Sequence, residues 1–513
     1  MRESYSNSLK LNRDLERYLE RALEQGRPVK IGWGRAGDER PKNGEFGVMT
    51  HLPEGARVLC LGNLGECVGA VNKGGNLTLR GSSGSMFGAF QVSGRTLVER
   101  DVGNRAGFRM EGGEISIQGS AGDETGAGMS GGVILVRGHA GDSLGVGMSG
   151  GTILVMGSVG TDPGIGMTGG KAIISGSCPP PPNGVEMRSI EKSEISEFSE
   201  FLEPMGLSLN EDALVLESNE KMSKDDEIPE SFIFEGFERI SLVPNEDASP
   251  EFSTLDYSTL LSPKDSDSEG ILLPIPWLVS CEKPGRSKFW KEAGVPAVVR
   301  KKPREIDFLL VGRADLSDSI DHIGKCAGLI FDVSDFPGLN DAEVEALLVS
   351  LRSRMADSSM IFLRGNIDRL ERLFRLILDF DLDGAVVDCA SISGSRLAST
   401  LPRIGLASKA MGLTGKGKFV MMEITNAPDS KDLVVAIASG FSAIVSPPEE
   451  GGLEMNFAEL ERSLRGWMRE LGIDSLDRIG RRNLRAVDFD TASISGLRLI
   501  GYDRPLKMWL ELG

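Results

Sequence analysis

EGGEISIQGSAGDETGAGMSGG (residues 111–132) decides the fold of the first part of this chain. Its closing motif returns as GVGMSGG (145–151) and GIGMTGG (164–170), each nineteen residues after the last. The same step of nineteen runs from about residue 55 to 176. It carries one apolar column through Val58, Leu77, Thr96, Ile115, Ile134, Ile153 and Ala172, and a second through Cys60, Leu79, Val98, Ile117, Val136, Val155 and Ile174. Apolar residues two apart point to one face of a short strand. Unbroken glycine columns, such as Gly69 to Gly164, allow the sharp turns between strands. A short strand and a glycine turn, repeated at fixed period, predict coils of a β-helix in which each coil covers its neighbour.

The glycines of GAGMSGG invite comparison with a phosphate-binding loop, which places one glycine turn before a helix. Here the motif recurs between strands, so its glycines are read as structural. Ser130 and Ser149 sit in G-x-S-x-G matches, but a nucleophile elbow needs a following helix and a partner histidine. No helical pattern follows either serine, Thr168 takes the third position, and the chain has only His51, His139 and His322. An esterase is therefore rejected. Met110, Met129, Met148 and Met167 form a ladder at the same step, read as a stacked apolar row rather than a thioether metal site.

The 513 residues carry a formal charge of −18, which argues against a nucleic-acid or anionic-membrane partner. Six scattered cysteines predict reduced thiols and a cytoplasmic protein. The first residues lack the apolar core of a signal peptide, and no apolar run is long enough to span a membrane.

Residues 1–54 predict an amphipathic helix over 12–25, with Leu15, Tyr18, Leu19, Ala22 and Leu23 on one face, and a cap that packs on the first coils. Residues 55–178 are the solenoid. Residues 179–295, opening on Pro179–Pro182, are expected to be a proline-rich, acidic linker with extended arms such as ILLPIPWLV. KMSKDDEIPES (221–231) reads as an exposed break. From 296 to 513, apolar strand runs alternate with helical ones: AGLIFDVS (327–334), SMIFLR (359–364), DGAVVDC (383–389), KFVMMEI (418–424) and SAIVS (442–446). That alternation predicts a parallel sheet covered by helices, a (β/α) barrel or a shortened relative.

On the residues just quoted, 55–190 resembles the GXGXG domain of the glutamate synthase family, a domain shared with formylmethanofuran dehydrogenase, where it forms one of the subunits. The resemblance implies a single-stranded right-handed β-helix. DLDGAVVDCASISGS (381–395), LPRIGLASKA (401–410), SKDLVVAIASGFSAIV (430–445) and the tail at 483–503 more faintly resemble the FMN-binding barrel of the same family, whose archaeal members carry a similar tail. The resemblance places residual flavin contacts at Ser393, Gly394 and Asn426.

The departures set the expectation. Ser391-Ile392-Ser393-Gly394 replaces the family's Gly-Gly-Thr-Gly turn, Thr425-Asn426 replaces paired glycines, and Pro447-Pro448 stands where a glycine would cradle phosphate. There is no cysteine triplet for an iron–sulfur cluster, and Met1-Arg2 offers no glutaminase cysteine. The expectation is a degenerate barrel with no cofactor, no metal and no catalytic residue, serving as a scaffold subunit in a glutamate synthase-like or formylmethanofuran dehydrogenase-like complex, or as a homo-oligomer. The alternative is a divergent FMN-dependent oxidoreductase.

Overall fold

The computed structural model describes residues 3–33, 44–219, 236–245, 254–262, 270–283, 294–389, 397–449 and 453–501. The chain divides into two compact units, Met1–Glu227 with Leu339–Arg354, and Ile228–Gly338 with Met355–Gly513.

The first unit is sheet-rich. Its strands pair in parallel at the sequence repeat: Val58 with Leu77, Leu77 with Thr96, Thr96 with Ile115, Ile115 with Ile134, Ile134 with Ile153, and Ile153 with Ala172. The apolar residues of both columns and the methionine ladder are buried in one core cluster, and Thr96 is buried as well. A second ladder links Ser83, Val102, Ala121, Ala140 and Val159 at the same step. The glycine turns are required by geometry. Gly107 has φ +67°, and a Cβ there would stand 2.4 Å from Ile134 Cδ1. Gly126, at φ +74°, meets Ile153 Cδ1 in the same way.

Polar side chains also repeat, a pattern the apolar columns do not reveal. Asn104 Oδ1 accepts from the Asp123 amide, Asp123 from Asp142, and Asp142 from Thr161, at 2.7–2.9 Å. His139 belongs to a parallel row: its Nδ1 accepts from the Ser158 amide at 3.0 Å. Ser130 and Ser149 are exposed, and strands Val133–Val136 and Ser149–Val155 stand where an elbow would need helices.

The N-terminal helix runs from Glu3 to Glu24, longer than predicted, and buries Ser8, Asn12, Leu15 and Leu19. Tyr18 and Leu23, expected on the inner face, are exposed. The face shifts because two polar residues hold it to its own unit. Asn12 donates to Gly47 O at 2.6 Å and accepts from the Met49 amide at 2.9 Å, and Ser8 Oγ accepts from the Phe46 amide.

Much of the expected linker is ordered structure. Strands Val185–Ser189 and Leu214–Ser218 extend the sheet in antiparallel fashion beyond Gly169–Ile174. Helix Lys192–Leu202 lays Phe198 and Leu202 on Leu135, Leu154 and Ile173, the outward residues of the repeat strands. The apolar edge and face of the last repeat strands are thereby covered, which an exposed sheet requires. The KMSKDDEIPES break lies outside the described residues.

The first unit also includes helix Asp341–Arg352, whose start is fixed by a capping box between Asn340 and Glu343. Arg105 bridges Glu124 at 2.6 Å and Glu343 at 2.7 Å. Ser350 Oγ lies 2.9 Å from Nε2 of the fully buried His51.

The second unit holds a closed barrel of eight parallel strands. They are Trp277–Cys281, Ala297–Val299, Phe308–Val311, Gly328–Asp332, Met360–Asn366, Gly384–Asp388, Phe419–Glu423 and Ala443–Ser446. The first begins within the stretch read as an extended arm, upstream of residue 296. Pro274 and Pro276 interrupt its apolar run, and only the residues after them join the barrel. Leu278, Val298, Leu310, Ile330, Phe362, Val386, Met421 and Val445 fill the interior together with Leu261 and Leu273 of the hairpin formed by Thr259–Leu261 and Ile271–Leu273. Among the described residues, no helix is long and apolar enough to cross a membrane.

Candidate functional site

Side chains on a strand alternate faces, so the residue two beyond each core residue faces the same way, one layer nearer the strand's carboxyl end. Beyond Ile330, Phe362, Val386 and Met421 these positions are Asp332, Arg364, Asp388 and Glu423. Four neighbouring strands therefore place ionisable groups above an apolar core, at the end where barrel enzymes keep their chemistry. Asp332 and Arg364 are register partners, as are Asp388 and Glu423.

Arg364 joins the four. Its Nη1 lies 2.5 Å from Asp332, its Nη2 2.9 Å from Asp388 and its Nε 2.5 Å from Glu423. Each nitrogen meets a different carboxylate, so no carboxylate takes the two-pronged pairing that guanidinium favours. The side chains are largely buried, from 4% exposed at Asp332 to 18% at Glu423. Asp332 Oδ1 also accepts from the Ser334 amide and hydroxyl.

Burial alone would depress the Arg364 pKa, but the charges of Glu423 and Asp332 outweigh it and hold the guanidinium above its ordinary value. Burial pushes the Glu423 carboxyl up, against the pull of Arg364, with Asp388 and Asp332 adding to the rise. The neighbouring Cys389 thiol is raised by burial and then by Asp388 and Glu423, so it is protonated and a poor nucleophile. The cluster has more carboxylates than cations. No group of three or more His, Cys, Asp or Glu side chains among the described residues is placed to hold a metal ion.

Of the residues expected to contact a flavin, Asn426 lies exposed in the loop after the seventh strand, beside exposed Thr425. Ser393 and Gly394 lie outside the described residues. The helix after that loop, Ser430–Ala438, begins in its own capping box. Asp429 accepts from the Asp432 amide at 2.7 Å, and Asp432 accepts from the amides of Asp429 and Phe237 at 3.2 and 3.3 Å. Burial, and then Asp429, push the Asp432 carboxyl up to about 6. After the eighth strand come Pro447 and Pro448, which have no amide hydrogen to offer.

The sequence reading missed the Arg364 cluster, although the signal was present. AGLIFDVS, SMIFLR, DGAVVDC and KFVMMEI each place a charged residue at or near the end of a buried apolar run.

Residues 101–205 match the family described as GXGXG motif. This agrees with the resemblance drawn from the glycine columns. A comparison with curated proteins finds no match. Among solved structures, a mutant flavocytochrome b2 with benzoylformate is 16% identical, over 49% of this chain and 76% of its own, with a TM-score of 0.36. A mandelate oxidase variant with 4-Br-2-hydroxy-methylphenylacetate is 15% identical, over 47% of this chain and 88% of its own, with a TM-score of 0.33. The barrel assignment rests on the chain's own strand pairing.

Proposed function

We propose that this chain is a glutamate synthase-related protein whose first unit is a right-handed GXGXG β-helix and whose barrel is a non-catalytic relative of the FMN-binding domain. It acts as a structural subunit of a larger, glutamate synthase-like or formylmethanofuran dehydrogenase-like oxidoreductase complex in the cytoplasm.

The engagement of Arg364 by three carboxylates of its own chain carries this reading. A bound flavin phosphate needs amide donors or a cation turned toward it. The buried cation at the barrel mouth faces carboxylates instead. The helix start after the seventh strand holds Asp429 and Asp432, which would repel a phosphate, and Pro447-Pro448 removes two amides. On this reading the described residues do not fit FMN.

The second reading, a divergent FMN-dependent oxidoreductase, draws on one observation. Ionisable groups, including a Glu423 with a raised pKa, stand at the carboxyl ends of adjacent barrel strands. A visible absorption scan of the purified full-length chain, before and after incubation with excess FMN and gel filtration, separates the two. A colourless protein that retains no flavin is expected. A yellow protein holding about one flavin per chain, a simple one-site stoichiometry, overturns the scaffold reading.

A further inference from the structure

Beside the mouth cluster lies a cavity of about 260 Å³, open to solvent and bounded by the loop after the fourth strand and the helix Leu370–Asp379. One part of its wall is apolar, made by Val333, Pro337, Leu373 and Leu376. The other part is polar, made by Ser334, Asn366, Arg369 and Arg372. Among the described residues no carboxylate lines it, although the chain has 75 acidic residues against 57 basic ones.

We infer that this cavity binds a small organic monocarboxylate with an apolar body. Guanidinium groups present donors matched to a carboxylate. Arg369 is exposed and has no ion pair among the described residues. Arg369 and Arg372 stand three apart, so they lie on one side of the chain as it enters the helix. That helix has no side-chain cap at its start, whereas Asn340, Asp429 and Asp488 cap theirs. Its positive end, which begins at Arg369, therefore adds to that guanidinium.

The apolar wall decides the rest of the ligand. A bare inorganic anion would leave the half-buried Val333 and the exposed Pro337 facing water over the buried Leu373 and Leu376, whereas an alkyl or aryl body covers them. The volume, just below the ~300–1,000 Å³ usual for ligand sites, suits a small acid and not a dinucleotide. Gly365 keeps the space open, since a Cβ there would stand 3.2–3.4 Å from Leu373 and Val333 side-chain atoms. An amine is disfavoured because no described residue in the wall carries negative charge. The inference is independent of the scaffold reading, because it needs neither flavin nor a partner.

Ligand-observed NMR and calorimetry on the full-length chain test it with hexanoate, hexylamine and inorganic phosphate as probes. Hexanoate should bind, and hexylamine should not. Arg369→Glu should weaken hexanoate about tenfold or more, the loss expected for a charge-assisted contact. Because Arg369 is exposed, the melting curve of that variant should be unchanged. Gly365→Ala should also weaken hexanoate while leaving both arginines in place. Absence of hexanoate binding, or equal binding by the wild type and Arg369→Glu, overturns the proposal. So does phosphate binding as tightly as hexanoate, which would mark a plain anion site without an apolar subsite.

Discussion

Arg364 and Asp332 face each other across the fourth and fifth barrel strands, with Nη1 2.5 Å from Oδ2, at positions that are direct register partners. The pair ties two strand ends together and shares its guanidinium with Asp388 and Glu423. Removing the arginine leaves three largely buried carboxylates facing one another. Arg364→Met should cost the second unit about 3–5 kcal/mol in a denaturant melt. Adding Asp332→Asn, Asp388→Asn and Glu423→Gln should restore most of it, because the uncompensated charge is then gone. A single Arg364→Met variant as stable as the wild type would show that the cluster does not hold the barrel mouth.

The glycine columns of the first unit make a graded prediction. Gly126 and Gly145 both have positive φ, but a Cβ at Gly126 stands 2.4 Å from Ile153 Cδ1, whereas at Gly145 the nearest atom is 3.4 Å away. Backbone strain alone costs each substitution about 1–3 kcal/mol. Gly126→Val should therefore melt lower than Gly145→Val. Ile134→Asp, which puts an unpaired charge in the core, should unfold the unit. Ser130→Ala and Ser149→Ala, at exposed positions, should stay within about 0.5 kcal/mol of wild type. Equal melting of the two valine variants would contradict the steric argument.

These contrasts show what was legible in the sequence. The pairing of Ile134 with Ile153 could be read because glycine and aliphatic columns repeat at one fixed step. The edge strand Val185–Ser189 and its inner neighbour Leu214–Ser218 could not, because each carries charge and lies outside the repeat. The first barrel strand was hidden by Pro274 and Pro276. Arg364 reaches partners 24 to 59 positions away in sequence, so no local pattern connects them. A charge at or near the end of a buried strand marked each member, but only barrel closure brought them to one place.

His51 gives the first unit a pH dependence of known sign. It is fully buried, and burial, then Arg354, hold its pKa well below the ordinary 6.5. The folded state thus keeps the ring neutral, while the unfolded chain takes up a proton near pH ~6.5. Stability from this group is present above that pH and is lost as pH falls below it. Amide exchange at residues 46–52 should therefore be faster at about pH 5 than at about pH 7.5 after correction for intrinsic rates. His51→Gln should flatten that difference even though it weakens the contact with Ser350. An unchanged slope in the variant would assign the dependence to another group.

Asp432 works in the opposite direction in the second unit. Its pKa is raised from 3.8 to about 6 by burial and then by Asp429, its partner in the capping box. An acid whose folded pKa is raised contributes stability below its unfolded value and loses it as pH rises through the folded value. The window here is about pH 4 to about pH 6, and at ~1.4 kcal/mol per unit the loss is roughly 3 kcal/mol at most. Asp429→Asn discriminates between two physical accounts of the helix start. Asparagine caps as well as aspartate, so the hydrogen bond to the Asp432 amide survives. If the helix dipole dominated, loss of the Asp429 charge would destabilise the unit by about 0.3–1 kcal/mol near neutral pH. If repulsion between the two carboxylates dominates, as the raised Asp432 pKa implies, the variant should be more stable above about pH 6. Carboxyl-carbon NMR titration should then show the Asp432 pKa moving down toward its ordinary value. A variant that is less stable at pH ~7 and leaves the Asp432 titration in place would show that burial alone sets it.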